Sequence, residues 1–201
     1  MIKESFVKKF ILYALGIIVL ILVFQFIFGG APDKETIRST DSGEVIGSIE
    51  GDNYVWRGIP FAKPPVGDLR WKAPIKPDSW EGTLEALESS EACFQPDGMS
   101  MLGQGGGWSG SEDCLYLNVW SPKEANDKKL PVMMWIHGGG NRMGSASGYD
   151  PQAMVSKQDV VVVVVQYRMS TLGWFRHPSL RDGTTSAEDD SGNFGTLDTI
   201  M

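Results

Sequence analysis

Six consecutive valines, Val160–Val165, constrain this chain more than any other stretch. A surface strand alternates apolar and polar side chains, whereas a run apolar on both faces suits an interior strand of the parallel kind, covered on both sides. Ahead of it, Leu130–His137 reads as another strand, and Asp150-Pro151 reads as a helix start with Asp as cap and Pro at the first helical position. That helix is expected to end near Val155-Ser156-Lys157. Strand, helix and strand in this order call for a crossover connection of right-handed sense, which predicts the α/β class. Leu115–Trp120 alternates as a further strand of the same sheet. Glu44–Trp56 reads as a hairpin turning at Glu50-Gly51-Asp52-Asn53. Four prolines between Pro60 and Pro74 then impose an extended surface path, which Trp71 and Trp80 are placed to pin to the body.

The strand Leu130–His137 runs directly into three glycines, Gly138-Gly139-Gly140. Glycines at the carboxyl end of a strand let backbone N–H groups approach a ligand, and aligned N–H donors can stabilise a developing oxyanion. A tight turn with no chemical role is the other reading of the same residues. Gly105, Gly107 and Gly110 satisfy G-x-G-x-x-G, but this match follows a loop and precedes a strand instead of opening a helix, so it does not predict dinucleotide binding. The surrounding stretch, MSMLGQGGGWSGS, has no apolar periodicity and reads as an exposed loop.

With 201 residues, 42% of them apolar, the chain can bury the core of one domain. Its net charge is −7 and it carries no Lys/Arg-rich patch, which argues against nucleic acid as a partner. Lys3, Lys8 and Lys9 against Glu4 make residues 1–9 basic, and residues 10–28 carry no charge at all. About twenty such residues suit a helix crossing a bilayer, and the lysines favour a cytoplasmic amino terminus. We expect a retained signal-anchor at 10–28, a linker at 29–42 and an extracytoplasmic domain at 43–201, periplasmic if the source is bacterial. The alternative is secretion after cleavage near Gly29-Gly30-Ala31. Cys93 and Cys114 agree with export, because a single pair in an oxidising compartment persists as a disulfide; two free thiols are the other reading. From Gly192 the chain starts what reads as a helix and stops at Met201 without punctuation, so a partial domain with an open, valine-rich, aggregation-prone sheet edge is expected.

Several motifs coincide in order and spacing with one family. They are Gly58-Ile59-Pro60-Phe61-Ala62, Pro64-Pro65-Val66-Gly67, Arg70-Trp71, the run Ser111-Glu112-Asp113-Cys114-Leu115-Tyr116-Leu117-Asn118-Val119-Trp120, Trp135-Ile136-His137-Gly138-Gly139-Gly140, Tyr167-Arg168 and Gly192-Asn193. In these the chain resembles the type-B carboxylesterase, or cholinesterase-like, branch of the α/β-hydrolases, over its amino-terminal part only. The resemblance implies an α/β-hydrolase fold: a hairpin plus the start of a central, mostly parallel sheet, here preceded by one transmembrane helix. It implies Gly139 and Gly140 as oxyanion-hole donors, a Cys93–Cys114 bridge, and ion pairs Arg70–Glu112 and Arg168–Asp198. His137 is expected to support the glycine loop by hydrogen bonding. Asn141 stands where the family usually has an aromatic and would line the acyl side of the pocket. Gln166 replaces the usual Asn before Tyr-Arg, and Thr196 and Thr199 replace an apolar residue and a Gln.

The family hydrolyses small carboxylic esters through a serine on a G-x-S-x-G elbow, followed by an acid and a histidine, and requires neither cofactor nor metal. No serine in this chain has glycine at both −2 and +2; Gly144-Ser145-Ala146-Ser147-Gly148 is centred on alanine. Of the two histidines, His137 adjoins the glycines and His177 precedes Pro178. The chain is therefore expected to carry an oxyanion hole without a triad and to be inactive alone. A catalytically dead binding or adhesion module, or a gene fragment, is the alternative.

Overall fold

The computed structural model describes residues 30–97, 106–125, 129–181 and 186–201. Among them the strands are β1 (Arg38–Ser39), β2 (Glu44–Ile46), β3 (Ser48–Glu50), β4 (Asn53–Pro60), β5 (Thr83–Glu85), β6 (Gln95–Pro96), β7 (Trp108–Ser109), β8 (Tyr116–Pro122), β9 (Val132–Ile136) and β10 (Val161–Val165). The α-helices are α1 (Gln152–Gln158), α2 (Ser170–Gly173), α3 (Ala187–Ser191) and α4 (Phe194–Asp198). The main sheet has the order β3-β4-β8-β10-β9.

The valine strand β10 is interior, as its composition demands, but its neighbours correct the expected sheet. β10 pairs parallel with β9 through the α1 crossover and antiparallel with β8 on its other side. The β3/β4 and β4/β8 pairings are antiparallel too, so this part of the sheet is mostly antiparallel, not mostly parallel. The open edge is β9, whose five side chains, Val132 to Ile136, are all exposed, while in β10 Val162, Val164 and Val165 are buried and Val161 and Val163 are half-buried. A strand apolar along its whole length needs two covered faces, and β9 has neither among the described residues.

On one face of the sheet Val162 and Val164 pack with Val55, Trp120, Ala146 and Val155 of α1. Beyond β4 and β8, Trp56, Val45 and Ala86 form a second cluster, with Tyr54, Leu84 and Val119 against it, which seats the small sheet β1-β2-β5. The predicted hairpin exists as β3 and β4, with Glu50 opposite Asn53. Its first strand is shorter than the sequence suggests, because the chain leaves the main sheet at Gly47 and β2 pairs elsewhere. Trp71 and Trp80 do pin the proline-rich path: their indole N–H groups donate to the carbonyls of Thr171 (2.9 Å) and Glu44 (2.8 Å). Helix α1 begins one residue later than expected, with Pro151 at the cap and Asp150 accepting the Gln152 N–H at 3.0 Å. Part of the glycine-rich loop is regular, since β7 pairs with β6.

The fold class is corrected in one further respect. The expected fold class placed a transmembrane helix before the sheet, whereas among the described residues no helix is long and apolar enough to cross a membrane. The segments 1–9 and 10–28 assigned to the anchor, and Gly105 of the G-x-G-x-x-G match, lie outside the described residues.

Candidate oxyanion site

β9 delivers the chain to the site. After Ile136 the backbone turns through Gly138–Met143, where the Gly139 carbonyl accepts the N–H groups of Arg142 (3.2 Å) and Met143 (3.3 Å). Three successive residues have positive φ: Gly139 at 127°, Gly140 at 63° and Asn141 at 60°. This conformation uses the Gly139 carbonyl inside the turn and leaves the N–H groups of Gly139 and Gly140 without an acceptor among the described residues. Adjacent free N–H donors in a turn of this hand form an anion-binding concavity. Asn141 is exposed, and its carbonyl accepts the Ser170 N–H at 2.7 Å, tying the turn to the start of α2.

His137 is 2% exposed and forms the floor of the turn. Its Nδ1 lies 3.1 Å from the Gly138 carbonyl oxygen. A carbonyl only accepts, so Nδ1 carries the proton and Nε2 is the bare nitrogen; Nε2 is buried with no hydrogen-bond partner among the described residues. Burial holds the imidazole pKa below its ordinary value, outweighing the opposing pulls of the Gly138 carbonyl and the Gln166 side chain, so the ring is neutral at pH 7. The ring stacks on Tyr167 at a centroid separation of 4.4 Å, and the Tyr167 hydroxyl donates to the His137 carbonyl at 2.5 Å. A neutral, buried histidine stacked on Tyr167 is a fixture, not a base that exchanges protons with solvent.

Behind the loop stand two glutamines that sequence reasoning did not assign to the site. Gln95 pairs its carboxamide with both backbone groups of Gly144: Nε2 donates to the Gly144 carbonyl (2.9 Å) and Oε1 accepts the Gly144 N–H (2.5 Å). Gln166 accepts the Ala146 N–H at 2.7 Å and donates to the Glu91 carbonyl at 3.0 Å. Their sequence signals are a glutamine two positions after Cys93 and, for Gln166, a polar residue that closes a valine run in place of the family's usual Asn.

The remaining predicted residues lie around this core. Cys93 and Cys114 are disulfide-bonded and pack with Ala62, Leu115, Tyr167 and Met169, next to the ring that stacks on His137. Arg70 meets Glu112 in a two-pronged pair, Nε–Oε2 2.6 Å and Nη2–Oε1 2.7 Å, near the surface. Arg168 and Asp198 are buried, at 3% and 0% side-chain exposure. Asp198 accepts from Arg168 Nε (2.9 Å), Nη2 (2.7 Å) and backbone N–H (3.0 Å), while Nη1 donates to the Lys72 carbonyl at 2.9 Å. This pair fixes α4 to the end of β10. His177 caps a short 3₁₀ turn, accepting the Ser179 N–H at 3.2 Å, and stacks on Phe175.

Comparison with known proteins shows the family of the chain. Residues 34–201 match the model of the carboxylesterase family. Fumonisin B1 esterase of Sphingopyxis macrogoltabida is 45% identical over 171 residues, which cover 84% of this chain and 30% of that protein. Para-nitrobenzyl esterase of Bacillus subtilis is 39% identical over 164 residues, 81% of this chain and 32% of that protein. Among solved structures, a carboxylesterase of Geobacillus stearothermophilus superposes with a TM-score of 0.69 at 40% identity, over 82% of this chain and 33% of its own. The chain thus spans about a third of the length of these relatives. A matched family model over most of the chain, and relatives of this identity, establish that the chain belongs to the carboxylesterase family.

Proposed function

We propose that this chain supplies the oxyanion-stabilising part of a serine hydrolase acting on small carboxylic esters. The observation that carries the reading is the pair of free N–H donors at Gly139 and Gly140, held at the end of β9 over a neutral, buried His137. As a serine attacks an ester carbonyl, the oxygen gains a full negative charge in the tetrahedral intermediate. Donors already aimed at that position stabilise it without reorganising, and one such donor is worth about 10²–10³ in rate. The intermediate collapses to an acyl-enzyme, expelling the alcohol, and water then releases the acid. Asn141, exposed beside the donors, is proposed to contact the acyl group.

The nucleophile, its base and the orienting acid are proposed to come from sequence beyond these 201 residues, since no serine here occupies a G-x-S-x-G elbow. The 201-residue chain is accordingly proposed to be inactive alone. The test is p-nitrophenyl acetate hydrolysis by the full-length protein and, separately, by this chain. A burst followed by steady turnover from the full-length protein, and background from the chain, is the expected result. Turnover by the isolated chain would contradict the reading, and so would a folded full-length protein with no esterase activity, which would instead favour a binding module. The Cys93–Cys114 bridge supports an oxidising, extracytoplasmic location for the domain. Finding both cysteines as free thiols in acid-quenched cells would count against that location.

A further inference from the structure

We infer that Gln95 is a positioning residue for the oxyanion donors, acting through Gly144 and His137; the inference rests on the reading of Gly139 and Gly140 as those donors. Loop Gly138–Gly144 leaves the sheet at β9 and must be held at its far end if its N–H groups are to point at one place. Gly144 is that end. Its backbone lies against the His137 imidazole so closely that a Cβ there would overlap Nδ1 and sit 2.5 Å from the Gly138 carbonyl oxygen. These are the two atoms of the hydrogen bond that orients the first peptide of the turn.

What presses Gly144 into that position is the side chain of Gln95. A carboxamide offers one donor and one acceptor in the plane of a peptide, and Gln95 spends both on Gly144, at 2.9 and 2.5 Å. The pairing mimics a strand ladder without a strand. Gln95 is 7% exposed, so water does not compete for these bonds. Gln95 is itself rigidly mounted. It lies in β6 opposite Ser109 of β7, Phe94 donates its N–H to the Ser111 carbonyl at 2.9 Å, and Cys93 is disulfide-bonded to Cys114. The second glutamine, Gln166, bridges Ala146 to Glu91 in the same sense, so two carboxamides fasten residues 144–146 to the stapled segment 91–95. A rotation of Gly144 away from His137 would release Gly138, and with it the direction of the next two N–H groups. Displacements this small matter, because oxyanion donors act only within about 2.7–3.1 Å of the charged oxygen.

The test uses the full-length protein with Gln95→Ala and Gln95→Glu, read against wild type. Gln95→Ala is expected to lower kcat for p-nitrophenyl acetate 10- to 100-fold with KM within about twofold, because the lost interaction belongs to the transition state. Gln95→Glu gives the readout that a purely structural role would not move. A protonated carboxyl reproduces both bonds, whereas a carboxylate cannot donate to the Gly144 carbonyl. The activity of this variant relative to wild type should therefore rise as pH falls through the carboxyl's pKa. Amide hydrogen exchange of residues 138–148 is measured in parallel and is expected to speed up at least tenfold in Gln95→Ala, with β8 unchanged. Unchanged kcat with unchanged exchange overturns the inference, as does a pH-independent ratio for Gln95→Glu. Should the full-length wild type hydrolyse no ester, the exchange measurement still decides whether Gln95 holds the loop, so the two failures are distinguishable.

Discussion

Placing alanine at Gly139 and at Gly140 makes the same chemical change at adjacent residues with different expected costs. At Gly140 a Cβ would meet no atom within 4 Å, so the substitution pays only for a non-glycine residue at φ 63°, about 1–2 kcal/mol. At Gly139 φ is 127°, a region that side chains avoid at a cost of roughly 1–3 kcal/mol. The new Cβ would also overlap the Met143 carbonyl oxygen, which is backbone and cannot swing aside. Overpacking of that kind adds roughly 1–3 kcal/mol, which brings Gly139→Ala to about 2–6 kcal/mol. Urea denaturation of the disulfide-intact protein reads the difference. From the middle of these ranges, with m about 2 kcal/mol/M, the midpoint of Gly139→Ala should lie about 1 M below that of Gly140→Ala. Equal midpoints would refute the placement of Gly139 against Met143, and with it the claim that the turn's shape, not its flexibility, presents the donors.

The two ion pairs should separate as sharply. Asp198→Ala strands a buried guanidinium and is expected to destabilise by about 3–5 kcal/mol in denaturant titrations, while Glu112→Ala, beside the exposed Arg70, should be much milder. His137 predicts a pH dependence: its folded pKa lies below the unfolded value near 6.5, so the unfolded chain binds the extra proton first. The stability due to its neutral form is complete above about pH 6.5 and is lost as pH falls toward the folded pKa. Stability measured from pH 7 to 5 should decline less steeply in His137→Gln than in wild type.

Much of the architecture was legible because single residues forced it. Six valines in a row point to a strand paired on both sides within a sheet, and β10 lies between β8 and β9 as that requires. The glycine triplet after β9 signalled a sharp turn for the same local reason, and Gly139 and Gly140 adopt positive φ there. Strand order was not legible, since β8 reaches β10 across more than forty residues and nothing in either strand names its neighbour. Nor was the support beneath the donors. Gln95 and Gln166 act on the backbones of Gly144, Ala146 and Glu91, and a backbone partner leaves no side-chain identity to read. The β6/β7 ribbon escaped notice for a related reason: two residues per strand give no periodicity.

The central claim concerns where a negative oxygen sits. Its most direct test is a crystal structure of the full-length protein with a trifluoromethyl ketone, whose tetrahedral adduct carries the oxyanion of the ester intermediate. The account predicts that oxygen within about 2.7–3.1 Å of the backbone nitrogens of both Gly139 and Gly140, with His137 still donating to Gly138 beneath them. An adduct oxygen pointing to solvent or to any other donor set, with the Gly139 and Gly140 nitrogens unengaged, would contradict it.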